Sequence, residues 1–204
     1  MNSVQDKIER RSEKSRALAD RLVGAAEAVI AADGLPALRA RALASAVGCS
    51  VGAIYGVYED LDAIILEVNA LTLDAFVADM GRDARGAGPE DQLVQMAEAY
   101  LDYAARNRHR WAALFQHRLP PGRTITESYA NRQEAAFRLI EAPLAALHPT
   151  LPEIGLAART LFSAVHGVVA LGLDERITVL QLPVLRAQLG QIVRAAVRGL
   201  VLRS

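Results

Sequence analysis

The chain has 204 residues, 52% hydrophobic and 23% charged, with 23 basic side chains against 23 acidic ones. Such a composition is globular rather than disordered, and the length can bury a substantial core in one large or two small domains. Zero formal charge excludes a broadly electropositive nucleic-acid binder but leaves room for a small local footprint, because the field depends on where charges sit. Ala, Leu, Val and Arg dominate and β-branched alternation is scarce, so the expected fold class is all-α with about nine helices. The single cysteine, Cys49, excludes an internal disulfide framework and suits a reducing, cytoplasmic setting.

Residues 1–14 interleave Lys7, Arg10, Arg11 and Lys14 with Asp6, Glu9 and Glu13, without a clear face. They read as a flexible, solvated arm and lack the apolar core of a signal peptide. From 15 to 32, Leu18, Leu22, Ala25, Ala26, Val29 and Ile30 define an amphipathic helix, which Gly34 stops. The stretch RARALASAVGCSVGAIYGVY, Arg39 to Tyr58, then reads as two short helices around a tight turn. Leu43, Ala44 and Val47 recur at helical spacing; Gly48 and Cys49 suit the bend. Ser50 can cap the second helix by accepting a bond from an N–H three residues on, and Gly52 and Ala53 give that helix low relief. Paired helices of this kind form the helix-turn-helix unit, whose second helix enters the DNA major groove.

Glu59 and Asp60 open a longer helix to about Met80, their charges favourable at its N-terminus. Gly81, Gly86, Gly88 and Pro89 make 81–89 the best boundary, dividing the chain into an N-terminal part, 1–80, and a C-terminal part, 81–204. Beyond it, Leu93, Val94, Met96, Ala97, Tyr100, Leu101 and Ala104 lie on one helix face, and Trp111, Leu114, Phe115 and Leu119 mark a shorter helix. Thr124 with Glu127, and Thr150 with Glu153, have the spacing of capping boxes. The run Ile154 to Leu173, interrupted by Arg159 and His166, reads as a buried helix rather than a membrane span. In the last helix, Leu185, Leu189, Ile192, Val193, Ala196, Val197 and Leu200 form one broad apolar stripe.

Between about Arg16 and Leu71 the ordered set Asp33-Gly34-Leu35, Arg41, Leu43-Ala44, Val47-Gly48, Ser50, Gly52, Ile54-Tyr55 and Tyr58 resembles the DNA-binding domain of TetR/AcrR-type transcriptional regulators. Some family positions are altered: Leu38 replaces the Thr that usually starts the second helix, Val51 the Lys of Ser-Lys-Gly, Gly56-Val57 a pair of ring residues, and Leu61 a Lys. The segments Ala105 to Phe115 and LFSAVHGVVAL, Leu161 to Leu171, resemble the C-terminal domain of some TetR-like regulators known for a Trp…His-Gly pattern, with Phe162 in place of the Trp.

The resemblance implies an N-terminal three-helix DNA-binding domain and a C-terminal helical domain for ligand binding and dimerisation. On that basis the DNA-contacting candidates are Arg39, Arg41, Ser50, Val51, Ala53, Tyr55 and Tyr58. Guanidinium groups can bridge phosphate or guanine, small apolar groups suit thymine methyls, and tyrosine hydroxyls suit phosphates. The ligand candidates are Tyr100, Tyr103, Trp111, Phe115, Tyr129, Phe137, Phe162 and His166, with aromatic packing and a core histidine as the competing reading. Partners implied are a double-stranded operator, a small-molecule effector and a second copy through the last two helices, with no membrane. Ligand-released repression is the implied mode. A ligand-binding protein that has lost DNA reading is the alternative, favoured by Val51, Gly56, Val57 and Leu61. A helical-bundle enzyme is disfavoured. Glu98 with Asp102, and His109 with His117, match no metal-ligand motif, and Cys49 has no nearby His to activate it, so neither cofactor nor metal is expected.

Overall fold

A computed structural model describes residues 2–83, 88–174 and 181–201. The described residues form nine α-helices, α1 (Asn2–Asp33), α2 (Ala40–Val47), α3 (Val51–Tyr55), α4 (Leu61–Asp83), α5 (Pro89–Arg106), α6 (Arg108–Gln116), α7 (Glu127–Leu147), α8 (Ile154–Gly172) and α9 (Leu182–Val201), plus a 3-10 turn at Leu35–Ala37. The all-α expectation holds. The N-terminal arm does not: α1 is helical from Asn2. Once Leu22, Ala26 and Ile30 fix the packed half of the helix, each further residue adds one hydrogen bond without a new nucleus.

The chain forms two compact units. The first comprises residues through Thr72 together with Arg108–Ile125. Its core is Leu22, Ala26, Ile30, Leu38, Leu43, Ala44, Val47, Ile54, Ile64, Ile65, Val68 and Ala113. Ala113 belongs there because α6 packs along α1, where Arg110 pairs with Glu27 at 2.8 Å and His109 Nδ1 lies 3.1 Å from the Ala31 carbonyl. The packing therefore differs from a division after residue 80, since this segment is far along the chain yet packs with the first helices. Of the 81–89 boundary, residues 84–87 lie outside the described residues.

The second unit comprises Leu73–Asn107 and the residues from Thr126 onward. Here α5 is central, packing on α7, α8 and α9, and α8 packs on α7 and α9. Arg186–Asp102 at 2.5 Å and Arg194 to Glu90 and Asp91, both at 2.9 Å, tie α9 to α5 from its solvent side. Leu185, Leu189, Val193 and Val197 are buried within this chain. The apolar stripe of α9 is thus largely intramolecular core, while the side chain of Leu200 lies outside the described residues.

Several local expectations shift. Thr126, not Thr124, caps α7 by accepting from the Tyr129 N–H at 3.2 Å. Glu153 takes the N-cap position of α8 in a left-handed conformation, φ 54°, with no side-chain cap bond, so the Thr150–Glu153 box does not form. The helix α8 is long and apolar enough to cross a membrane by length and composition, yet only 22% of its apolar window is buried. It is a one-faced helix rather than a buried one, and its outward face carries Leu156 at 61% and Leu171 at 57% exposure. Within the chain Gly167 has nothing near its missing Cβ; the close helix approach is at Gly172, against Leu185 of α9.

Candidate functional site

The helix-turn-helix of the first unit is built as its residues dictate. Gly48 ends α2 in the left-handed region (φ 68°, ψ 42°), where a side chain would be strained, and its N–H bonds back to Ala44 and Ser45. Ser50 is extended, and its hydroxyl accepts from the Ala53 N–H at 3.1 Å, fixing the first turn of α3. Cys49 is half-buried against the core, as a small filler of the turn.

Around that turn, Arg39, Arg41, Ser50 and Tyr55 are exposed, and Val51, Ala53 and Tyr58 are half-buried. Tyr55, at 50% exposure, is not a core residue. Val51 and Tyr58 pack partly on the core; burial, then the Glu67 and Asp20 carboxylates, push the Tyr58 phenol above its ordinary pKa, so it keeps its proton. Arg39 turns back to donate to the carbonyls of Pro36 and of Leu38, the latter at 3.0 Å, and so fastens the start of α2. Arg41 is exposed and makes no ion pair among the described residues. Two of the altered family positions serve packing: Leu38 is 5% exposed in the core and Leu61 packs against it.

Residue spacing carries no hint of how firmly the segment after α6 braces this unit. Asp60 caps α4 by accepting from the Ala63 N–H at 2.9 Å, and Arg123 pairs with Asp60 and with Glu59. His117 Nε2 lies 2.9 Å from Asp62 Oδ1, and Arg110 donates to Thr72 Oγ1 at 3.3 Å while it holds Glu27. Among the described residues no three His, Cys, Asp or Glu side chains could hold a metal ion.

The second unit contains a cavity of about 30 Å³. Its wall comes from Phe76 and Met80 of α4, Leu93, Met96, Ala97 and Tyr100 of α5, Ile140 of α7, Leu161, Phe162 and Val165 of α8, and Val193 of α9. No wall residue is charged. The rings interlock edge to face: Phe76–Tyr100 at 5.1 Å and Tyr100–Phe162 at 5.7 Å between centroids, with Phe137 behind Phe162 at 5.6 Å. His166 stacks on Phe162 and lies 2.7 Å from the Tyr100 hydroxyl through Nδ1. Burial pushes the imidazole below its ordinary pKa, which favours the neutral ring; the phenol, both donor and acceptor, completes the bond with either tautomer.

Of the ligand candidates, Tyr100 and Phe162 line the cavity, and His166 and Phe137 contact those two. Tyr103 is buried against Phe76 at 5.8 Å, and Tyr129 is buried but off the wall, burial raising its phenol pKa. Trp111 and Phe115, 5.6 Å apart, belong to the first unit and are not brought to this cavity. The missed wall residues are chiefly Phe76 and Met80, on a helix whose own apolar residues are too evenly spread to reveal one face.

Residues 93–191 match the model of the tetracycline-repressor-like C-terminal domain, and this segment contains Tyr100, Phe162 and His166. The fold agrees with a TetR-family transcriptional regulator, PfmR from Thermus thermophilus, at TM-score 0.59 and 22% identity over 85% of this chain and 97% of that one. The matched segment is thus a TetR-type C-terminal domain, and the fold is the TetR fold. A transcriptional regulator from Rhodococcus sp. RHA1 (TM-score 0.66, 21% identity, 89% and 96% covered) shares that fold with this chain. So does the regulator FadR from Bacillus subtilis in complex with stearoyl-CoA (TM-score 0.64, 16% identity, 85% and 96% covered). No curated relative matches by sequence. At these identities the structural likeness carries the TetR fold alone, a helix-turn-helix domain with a helical ligand-binding domain.

Proposed function

We propose that this protein of TetR fold is a homodimeric transcriptional repressor that leaves a palindromic operator when a small, largely apolar ligand enters the helical body. Regulators of the TetR family bind DNA and small effectors and form dimers. The observation that carries the reading is Gly52 in α3. A Cβ there would meet only the Ser50 hydroxyl, at 3.8 Å, so packing does not require glycine, and glycine costs a helix roughly 0.5–1 kcal/mol. A surface that needs no relief for folding is kept flat beside exposed Tyr55 and half-buried Ala53, as close approach to a groove floor requires. Arg41, on the first turn of α2, supplies the cation for phosphate or guanine; Arg39, held by two carbonyls, serves the turn first.

The first unit acts as the DNA-reading part and the second as sensor and dimer, so Phe76 and Met80 go with the sensor and Arg108–Ile125 with the DNA-reading part. The residues of α4 are shared, Leu61–Thr72 with the first unit and Leu73–Asp83 with the second, which suits it to link effector and operator. A ligand favouring one conformation weakens DNA binding by its differential affinity for the two. The outward apolar residues of α8 and α9 support a four-helix dimer seam: Leu156, Thr160, Ser163, Gly167 and Leu171 follow one another at helical spacing, facing away from the core, with Leu182 and Val184 exposed on α9.

The test is a fluorescence-anisotropy titration of the full chain against its own upstream DNA at two salt concentrations. With Leu61 packed against the core rather than a lysine on phosphate, the salt dependence per subunit should be shallow. Specific binding that never exceeds nonspecific binding at either salt would leave a ligand-binding protein of the same fold. Arg41→Ala should cost about 1–3 kcal/mol if the contact is to a base.

A further inference from the structure

The cavity in the second unit is more selective than "apolar" implies, and the selectivity comes from charge. Its eleven wall residues include no ion, and the hydroxyl of Tyr100, held 2.7 Å from His166, is the single polar side-chain group among them. Neutral His166 is stacked against Phe162 and does not substitute for a cation. One charged group stands one ring farther out. Arg159 lies over Phe137, 4.6 Å from its centroid, and already pairs with Glu134 at 2.5 Å and Glu141 at 3.8 Å. One guanidinium against two carboxylates leaves that rim with a negative surplus, which does not recruit an anionic head group. An ion entering the wall itself would lose its water with no countercharge in return.

We infer that the group taken by this cavity is uncharged: a compact apolar molecule carrying one hydrogen-bonding oxygen or nitrogen, seated at the Tyr100–His166 pair. The inference rests on the reading of this cavity as the effector site. The ligand's polar group meets the pair by joining or replacing its bond, and its apolar body widens a space that now has room for about one water. Met80 and Met96, unbranched and easily repacked, are the wall members that give way.

Four probes on one skeleton separate these contributions: toluene, para-cresol, para-toluate and para-methylbenzylammonium, titrated calorimetrically into the full-length protein at neutral pH. Para-cresol should bind several-fold tighter than toluene, and each ion at least about tenfold weaker than para-cresol. Tyr100→Phe should erase the advantage of para-cresol over toluene while the ions stay excluded. Binding of either ion as tightly as para-cresol, an undiminished para-cresol advantage in Tyr100→Phe, or no heat from either neutral probe would each overturn the inference. Operator binding, measured without any probe, decides the regulator reading separately, so the two can fail independently.

Discussion

Gly172, the last residue of α8, has the tightest surroundings of the described glycines. A Cβ built on it would lie 2.1 Å from Leu185 Cδ2, 3.0 Å from Cδ1 and 3.1 Å from Cγ. Carbon atoms attract best at roughly 3.5–4.0 Å, so the contact is strongly repulsive. Leu185 is 0% exposed and has no solvent to swing into; either its rotamer or the spacing of α8 and α9 must change. Overpacking of this kind costs about 1–3 kcal/mol, against a gain of at most about 1 kcal/mol from replacing glycine in a helix. Gly172→Ala should therefore destabilise the protein by roughly 1–2 kcal/mol. Gly24→Ala in α1, where nothing lies within 4 Å of the new Cβ, isolates the helix gain and should stabilise by about 0.5–1 kcal/mol. The assay is urea unfolding followed by far-UV circular dichroism at fixed protein concentration, because a dimer's midpoint moves with concentration. A double-mutant cycle sharpens it: with Leu185→Ala the clashing atoms are gone, so the two substitutions together should cost less than their sum by at least about 1 kcal/mol. Strict additivity, or a Gly172→Ala protein as stable as the parent, would refute the claim that this glycine sets the α8–α9 spacing.

Gly52→Ala should have opposite signs in two assays, stabilising the head by roughly 0.5–1 kcal/mol while weakening operator binding; a gain or no change in DNA affinity would sink the groove-contact argument. Thr126→Ala should cost about 1 kcal/mol through loss of the α7 cap, and Thr124→Ala close to nothing, as judged by the same unfolding curves. Leu171→Glu, on the outward face, should give a folded monomer in sedimentation, whereas Leu189→Glu, in the core of one chain, should unfold it. His166 carries a pH dependence of defined sign. Its folded-state pKa is lowered by burial below the ordinary 6.5, so the unfolded chain binds more protons in the interval between the two values. The stability this group contributes is complete above 6.5 and falls away as pH drops through that interval; His166→Gln should flatten that part of the profile, measured from about pH 8 to about pH 5 at steps of about half a unit.

The helix-turn-helix was legible because all its determinants are local. A left-handed glycine, a serine three residues before the N–H it caps, and apolar residues at helical spacing act within a few residues of one another. The same locality made the all-α class and most helix positions readable, and it limited where the reading went wrong. Thr124 and Thr126 both precede Glu127 in a cap-like context, and backbone geometry chose between them. Along α9, periodicity found Leu185, Leu189, Val193 and Val197 but not what covers them; a stripe facing its own core and one facing a second copy have the same spacing. Trp111 and Phe115 look like pocket aromatics in one dimension, yet α6 packs on α1, far away in sequence. The cavity wall gathers residues from five helices, so no single period reveals it. Local order along the chain was enough to dictate most helices and their apolar faces. Which faces meet, and therefore where an uncharged space lies beside Tyr100 and His166, was left to the packing of distant segments, because that contact joins residues 66 apart in the chain.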